Sequence, residues 1–337
     1  MSRLHTALRA ILLDDPSFIE GLPERDASKL GRLFEANHLE AFLYDLLKRK
    51  GWERSLSPQR HTAWKNASLL AAGRSMAFQA AFHEILSLCN QRSIPVRPLR
   101  ETQAAFYIYP SPDLRPLANL EVQVPPGRAL ELRAALKSSR FFELEDLWDT
   151  GGEPPSPHIL PTLERDGVTV KICKRSIRQI APGPWDSFPA VEDGDLPLLH
   201  DAETLLILLC NEVATRGFCH SLANLLDIHW VFKKSNPDWR RLNELSRETN
   251  LSVEICLTLL VLRQVLGTPV DAEFLREMDD RIGWSESRRR LLIKCAATAI
   301  LLYPASLRIA EFLGGHLGDL KAAGRLSAAG QSAEKLG

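Results

Sequence analysis

The stretch that decides the fold is Asn119-Leu120-Glu121-Val122-Gln123-Val124. Polar residues at 119, 121 and 123 alternate with apolar residues at 120, 122 and 124, which is the period of a strand with one buried face. Pro125-Pro126-Gly127 then ends the strand, because proline has no N–H for a sheet ladder. The pattern therefore predicts a half-buried strand whose polar side chains share one face.

Other short patterns around this strand predict a small mixed sheet. Asp166-Gly167 is typical of a tight hairpin turn between two strands. Proline-rich loops separate the segments and set their ends. The predicted elements are strands at 94–99, 158–163 and 168–173, a short helix at 102–109 and a helix at 129–138.

Helical periodicity dominates both flanks of this sheet, including a long Ala- and Leu-rich helix at 61–89. The chain returns to helices near residue 200, with candidates at 204–215, 222–233, 239–249, 252–266, 271–278 and 285–302. We therefore expect an α+β protein, in which a small mixed β-sheet core is flanked by N-terminal helices and a C-terminal helical bundle. The predicted regions are 1–91, 92–180 and 195–313, followed by a flexible tail at 314–337.

Composition narrows the classes of function. The 337 residues carry 42 Lys and Arg against 42 Asp and Glu, so the zero net charge argues against an extended nucleic-acid surface. The most apolar runs are far shorter than the roughly 20 residues that cross a bilayer, so we expect no membrane partner. The N-terminus lacks the features of a signal peptide, and the six cysteines contain no Cys-x-x-Cys pair. Free thiols in a cytoplasmic protein are the expectation.

Three segments carry a resemblance to a known family. They are Val96-Arg97-Pro98-Leu99-Arg100-Glu101, then Tyr109-Pro110, then the run from Arg115-Pro116 through Asn119-Leu120-Glu121 to Pro125. Their order resembles a bacterial nucleotidyltransferase-like family with the pattern V-x-x-L-K-G, Y-P and R-P-x-x-D-L-D-x-x-V-P. The resemblance covers most of residues 1–270.

The resemblance implies a metal-dependent transfer of a nucleoside monophosphate. Two carboxylates in the Asp-x-Asp pattern share one face of a strand, and a third comes from a neighbouring strand. Together they hold divalent metal ions that bind the phosphates, activate the attacking hydroxyl and stabilise the leaving pyrophosphate.

This sequence departs from the family pattern at each of those positions. Asn119 and Glu121 stand at the two aspartates, and Lys171 stands at the third carboxylate. Arg100-Glu101 replaces Lys-Gly, so the glycine that lets a phosphate approach the backbone is missing. The formal charge of the three catalytic positions is zero rather than minus three, and Lys171 is expected to pair with Glu121 in place of a metal. The alternative is a misaligned third position or a relocated carboxylate from Glu101, Asp113 or Glu164.

Two functions follow from the resemblance. The first is a nucleotidyltransferase-fold protein with lost or much reduced catalysis, which acts as a binding or regulatory partner of a protein or a nucleotide and needs no cofactor. The alternative is an active nucleotidyltransferase that uses Mg²⁺ to move a nucleoside monophosphate from NTP to a small-molecule or protein acceptor. It would use Glu121 and a relocated carboxylate as metal ligands, with Arg100, Glu101 and Arg115 as nucleotide-binding residues. A third reading assigns the function to the helical flanks as a protein-interaction surface.

Overall fold

A computed structural model describes Leu8 and residues 24–51, 53, 56–144, 158–176, 186–188, 197–218 and 222–301. The chain divides into two compact units. One contains residues 40–208, and the other contains residues 1–39 together with 209–337. The flexible tail predicted at 314–337 lies outside the described residues.

Helices account for most of the described chain, as the sequence predicts. The longest follows Pro58, a position where the missing proline N–H costs nothing, and Ser57 caps it by accepting a hydrogen bond from Arg60. In chain order the α-helices are α1 (Glu24–Ala36), α2 (Glu40–Arg49), α3 (Pro58–Gln91), α4 (Arg100–Gln103), α5 (Ala129–Ser138), α6 (Ala202–Thr215), α7 (Leu222–Lys234), α8 (Trp239–Glu248), α9 (Ser252–Leu266), α10 (Ala272–Ile282) and α11 (Glu286–Leu301).

A five-stranded mixed sheet lies within residues 40–208. Its strands are β1 (Arg97–Pro98), β2 (Leu120–Gln123), β3 (Phe142–Glu143), β4 (Leu163–Arg165) and β5 (Val168–Cys173). Their order across the sheet is β1-β2-β5-β4-β3, and β2 and β5 pair in parallel at its centre. The remaining neighbours pair antiparallel. The predicted α+β fold class, with a small mixed sheet and C-terminal helices, is confirmed.

The core of this unit packs α3 and α5 against the two central strands. Buried apolar side chains alternate along β2 and β5, and Phe82 and Ile85 come from α3. Leu120, Val122, Val170 and Ile172 are fully buried, so they fix which face of each strand points inward. The intervening residues Glu121 and Lys171 are therefore directed away from this core.

Three predicted elements differ from the structure. The strand predicted at 94–99 is shorter, because β1 covers only Arg97–Pro98. The strand predicted at 158–163 is wrong, because β4 covers Leu163–Arg165 and only Ile159 makes an isolated bridge to Cys173. Pro161 cannot donate to a ladder, and the two-residue turn at Asp166-Gly167 sets the pairing of β4 with β5. The helix predicted at 102–109 begins two residues earlier as α4 and continues as a π-helical turn at Ala104–Ile108.

The unit that includes residues 209–301 is helical in its described part. Asp238 caps α8 as the sequence predicts, accepting hydrogen bonds from the backbone N–H groups of Arg240 and Arg241. Helix α9 is buried along most of its length and contacts α7, α8, α10 and α11. Among all helices that the structure describes, none has the length and apolarity needed to cross a membrane.

Candidate functional site

The site is centred on Glu121 at the second position of β2. Parallel pairing places Glu121 directly opposite Lys171 on β5, and their charged groups lie 3.9 Å apart, from Nζ to Oε1. The same register follows from the buried Leu120–Val170 and Val122–Ile172 neighbours. Packing on one face of the sheet therefore brings two of the three family positions together on the other face.

Arg100 makes the closest contact with the Glu121 carboxylate. Its Nη2 donates a 2.6 Å hydrogen bond to Glu121 Oε2, and its Nε donates to the same oxygen at 3.1 Å. Both side chains are largely buried, with 10% and 14% of their surfaces exposed. This charge-assisted pair is much tighter than the contact with Lys171, so Arg100 provides most of the compensation for the Glu121 charge.

The backbone around Arg100 is arranged to make this contact. Arg100 has φ +41°, a left-handed conformation that costs a non-glycine residue roughly 1–2 kcal/mol. Leu99 N–H donates to the main-chain oxygen of Glu121, and the hydroxyl of Thr102 accepts from Glu121 N–H. The turn from β1 into α4 is thus tied to β2 on both sides of Arg100.

The other predicted site residues are placed as follows. Glu101 pairs with the buried guanidinium of Arg115, with 3.4 Å between Oε1 and Nη2. Arg115 also donates to the main-chain oxygen of Pro116 at 2.7 Å. Asn119 lies directly before β2 and is half-buried. The structure therefore brings Arg100, Glu121 and Lys171 together in one cluster. Glu101 and Arg115 form a separate ion pair.

This donor set does not fit the metal ions that the family pattern implies. Mg²⁺ is bound by oxygen ligands of negative charge, whereas Glu121 already compensates an arginine and a lysine. Arg100, Glu121 and Lys171 sum to a formal charge of +1, from two cations and one carboxylate. Within the described residues, no three or more His, Cys, Asp and Glu side chains are grouped so that they could hold a metal ion.

A second polar network, centred on Gln123, was not expected from the sequence. Alternation predicts an exposed Gln123, but the side chain is fully buried. Its Oε1 accepts from Ser176 Oγ at 2.7 Å, and its Nε2 donates to Asp186 Oδ1 at 2.9 Å. The buried amide is stabilised by hydrogen bonds to residues far along the chain. The alternation of polar and apolar residues within one strand cannot predict such partners.

His200 lies in the same neighbourhood and is held through its backbone. Gln103 Nε2 donates to His200 O at 2.8 Å, and Gln103 Oε1 accepts from His200 N–H at 3.1 Å. Burial, together with the nearby positive charge of Arg97, lowers the pKa of His200 to about 3. The imidazole is therefore neutral at physiological pH.

The family comparison agrees with the resemblance drawn from the sequence. A family model described as an uncharacterised nucleotidyltransferase matches residues 23–267. The chain belongs to this family, because the match covers well over half of its length. No curated protein and no solved structure gave a match.

Proposed function

We propose that this nucleotidyltransferase-family protein has lost most or all metal-dependent transfer and acts as a binding or regulatory partner. The observation that carries the proposal is the double hydrogen bond from Arg100 to Glu121. The one carboxylate retained at the family's catalytic positions is thereby committed to a protein cation. A metal ion binding this carboxylate would have to compete with the two hydrogen bonds from Arg100 to Oε2 and with the ammonium of Lys171, which lies 3.9 Å from Oε1.

Electrostatics supports the same conclusion. Two fixed cations beside one carboxylate repel a divalent cation, and the repulsion is stronger in a half-buried site than in bulk water. Asn119 adds a neutral amide where the family has an aspartate. An amide oxygen is a weaker ligand for Mg²⁺ than a carboxylate, because it carries no net charge.

The carboxylates considered for relocation have contacts that disfavour a shared metal site. Glu101 pairs with Arg115, and Asp113 accepts a hydrogen bond from Ser111. Glu164 lies on β4, which is separated from β2 by β5, so its backbone is roughly 10 Å from that of β2 at the usual strand spacing. These positions support the reduced-activity proposal over the alternative of an active enzyme.

Turnover is tested by pyrophosphate release from the four NTPs with Mg²⁺ or Mn²⁺. We expect the wild type to release no more pyrophosphate than Glu121→Ala. Release by the wild type that depends on the metal and disappears in Glu121→Ala would overturn the proposal and establish the alternative.

The partner role is tested by affinity capture from the native host with wild-type protein and Glu121→Ala as baits. A defined complex that the wild type forms and Glu121→Ala loses places the binding function at the cluster. A complex that both form equally assigns the interaction to the helical flanks instead. The free thiols of Cys89, Cys173, Cys210, Cys256 and Cys295 support a reducing cytoplasm as the place to search.

A further inference from the structure

Helix α3 carries an exposed apolar stripe on its outer side. Leu69, Leu70 and Met76 are 64%, 75% and 70% exposed, the three highest values among the large apolar side chains that the structure describes. The opposite side of the same helix buries Phe78 and Phe82 in the core that contains the central strands. A group of exposed apolar side chains on one face is typical of an interaction surface.

The exposed positions of this stripe repeat with the spacing of a coiled-coil seam. Steps of three and four residues alternate through Asn66, Leu69, Gly73, Met76, Ala80 and His83. The same spacing continues to Thr62 and Ser87, which are also exposed. The four central positions are apolar or small and the outer ones are polar. A seam with this repeat packs along a second helix at an angle of about 20°.

The order of side-chain sizes in the stripe is complementary to itself. The four central residues alternate large and small, as Leu69, Gly73, Met76 and Ala80. In an antiparallel pair with its two-fold axis between positions 73 and 76, Met76 of each copy faces Gly73 of the other. Leu69 of each copy then faces Ala80, so large side chains fill the space beside small ones. A parallel pair would oppose glycine to glycine and leave a void.

The charges on α3 are compatible with this contact. Between Lys65 and Glu84 the only Asp, Glu, Lys or Arg residue is Arg74. The Arg74 guanidinium lies 5.4 Å from the centroid of the Phe78 ring, beside the core-facing side of the helix. No ionised group therefore has to be desolvated in the middle of the seam. At its ends, Lys65 of one copy lies level with Glu84 of the other, which is itself paired with Arg165.

The length of the stripe gives an area that suits a dimer. From Thr62 to Ser87 an α-helix rises about 38 Å, and a cylinder of about 11 Å diameter has roughly 1,300 Å² of side surface over that length. If each copy covers half of its own cylinder, the pair buries roughly 1,300 Å² in total. This value lies within the range of about 1,200–2,000 Å² that specific protein interfaces bury.

We infer that the protein forms a homodimer in which the outer side of α3 packs antiparallel against α3 of a second copy. Leu69 and Met76 are the large side chains that each copy inserts beside Ala80 and Gly73 of the other. Glu121 points away from the core against which α3 packs, so the dimer contact does not involve the Glu121 cluster. The inference is therefore independent of the chemistry proposed for that cluster.

Sedimentation velocity of the full chain from about 1 to 100 µM tests the dimer, because this range covers moderate affinities. We expect the wild type to shift from monomer to dimer as the concentration rises. Met76→Glu places an unpaired charge in the seam and should weaken self-association by roughly tenfold or more. Leu130→Glu is the matched control, because Leu130 is 62% exposed but lies on α5, and it should associate as the wild type does.

Crosslinking of single-cysteine variants with a short bis-maleimide tests the direction of the pair. In the antiparallel register the two copies of position 76 are offset by about 4.5 Å along the helices, whereas those of position 66 are offset by about 25 Å. Met76→Cys should therefore crosslink well above the wild-type background from native cysteines, and Asn66→Cys should not. Equal crosslinking of both variants would indicate a parallel pair and overturn the inferred register.

Two results would overturn the dimer itself. One is a dimer that Met76→Glu leaves unchanged, which would place the contact elsewhere. The other is a wild type that stays monomeric over the whole concentration range. If Met76 of that monomer also resists oxidation by hydrogen peroxide, another segment of the same chain covers the stripe.

Discussion

The cationic partners of one carboxylate distinguish this protein from the metal-binding pattern that the family resemblance implies. Glu121 is positioned by the sheet register, but its chemistry is set by Arg100, which reaches it from the turn after β1. Arg100 adopts φ +41°, and the ion pair offsets part of the cost of that conformation. A strained backbone that is retained because it positions one side-chain contact is typical of functional sites.

Removing the Glu121 charge is expected to destabilise the fold. Glu121→Gln leaves Arg100 largely buried beside a neutral amide, which should cost about 2–3 kcal/mol in the free energy of unfolding. Urea denaturation followed by circular dichroism measures the change. The control is Glu131→Gln, which removes the exposed partner of Arg128 and should leave stability close to wild type. Equal effects of the two substitutions would show that the Arg100–Glu121 pair is not held as described.

The buried His200 makes stability depend on pH. Because burial lowers its pKa to about 3 in the folded state, the unfolded chain binds the extra proton between about pH 3 and the ordinary histidine pKa near 6.5. Its contribution is complete above about pH 6.5 and falls with pH below it, by up to about 1.4 kcal/mol per pH unit.

Denaturation midpoints at pH 7.5, 6 and 5 check this dependence. His200→Gln should flatten the decline, whereas the exposed His83→Gln should retain it. If both variants decline as steeply as the wild type, His200 does not remain neutral in the folded state.

At the scale of elements, sequence patterns predict the strands and turns whose structure depends on a few adjacent residues. The period of two in β2, the exact span of β5 and the turn at Asp166-Gly167 each follow from a few adjacent residues. The two-residue β3 has too few residues to show a period, and the burial of Gln123 depends on Ser176 and Asp186. The Arg100–Glu121 pair was missed for the same reason, since neither residue carries a sign of its partner 21 positions away.

The turn between β4 and β5 gives a test at this scale. Asp166 and Gly167 have φ of +53° and +76°, the pair of positive angles that a two-residue hairpin turn requires. A Cβ at Gly167 would meet no atom within 4 Å, so Gly167→Ala should destabilise by about 1 kcal/mol through backbone conformation alone.

Gly73 is the matched control of opposite sign. It lies within α3, and a Cβ there also meets no atom within 4 Å. Gly73→Ala should therefore stabilise by about 0.5–1 kcal/mol, because alanine loses less entropy in a helix. Thermal unfolding of both variants measures the two signs. A stabilising Gly167→Ala would contradict the turn geometry.

At the scale of the whole molecule, family membership and site chemistry lead to different expectations. The family match spans residues 23–267 and shows a nucleotidyltransferase-like family, whereas the cluster at Glu121 supports our proposal that fixed cations stand in place of a metal ion. The sequence alone predicts that Asn119 and Lys171 depart from the family pattern. It does not predict that Arg100 neutralises the remaining carboxylate, because that contact depends on the fold.

The binding of Mn²⁺, followed by electron paramagnetic resonance, tests this central claim most directly. The account predicts that the signal of free Mn²⁺ keeps its full amplitude when equimolar wild-type protein is added. A loss of signal on adding the wild type, absent when Glu121→Gln is added, would show that Glu121 coordinates the metal and would contradict the account.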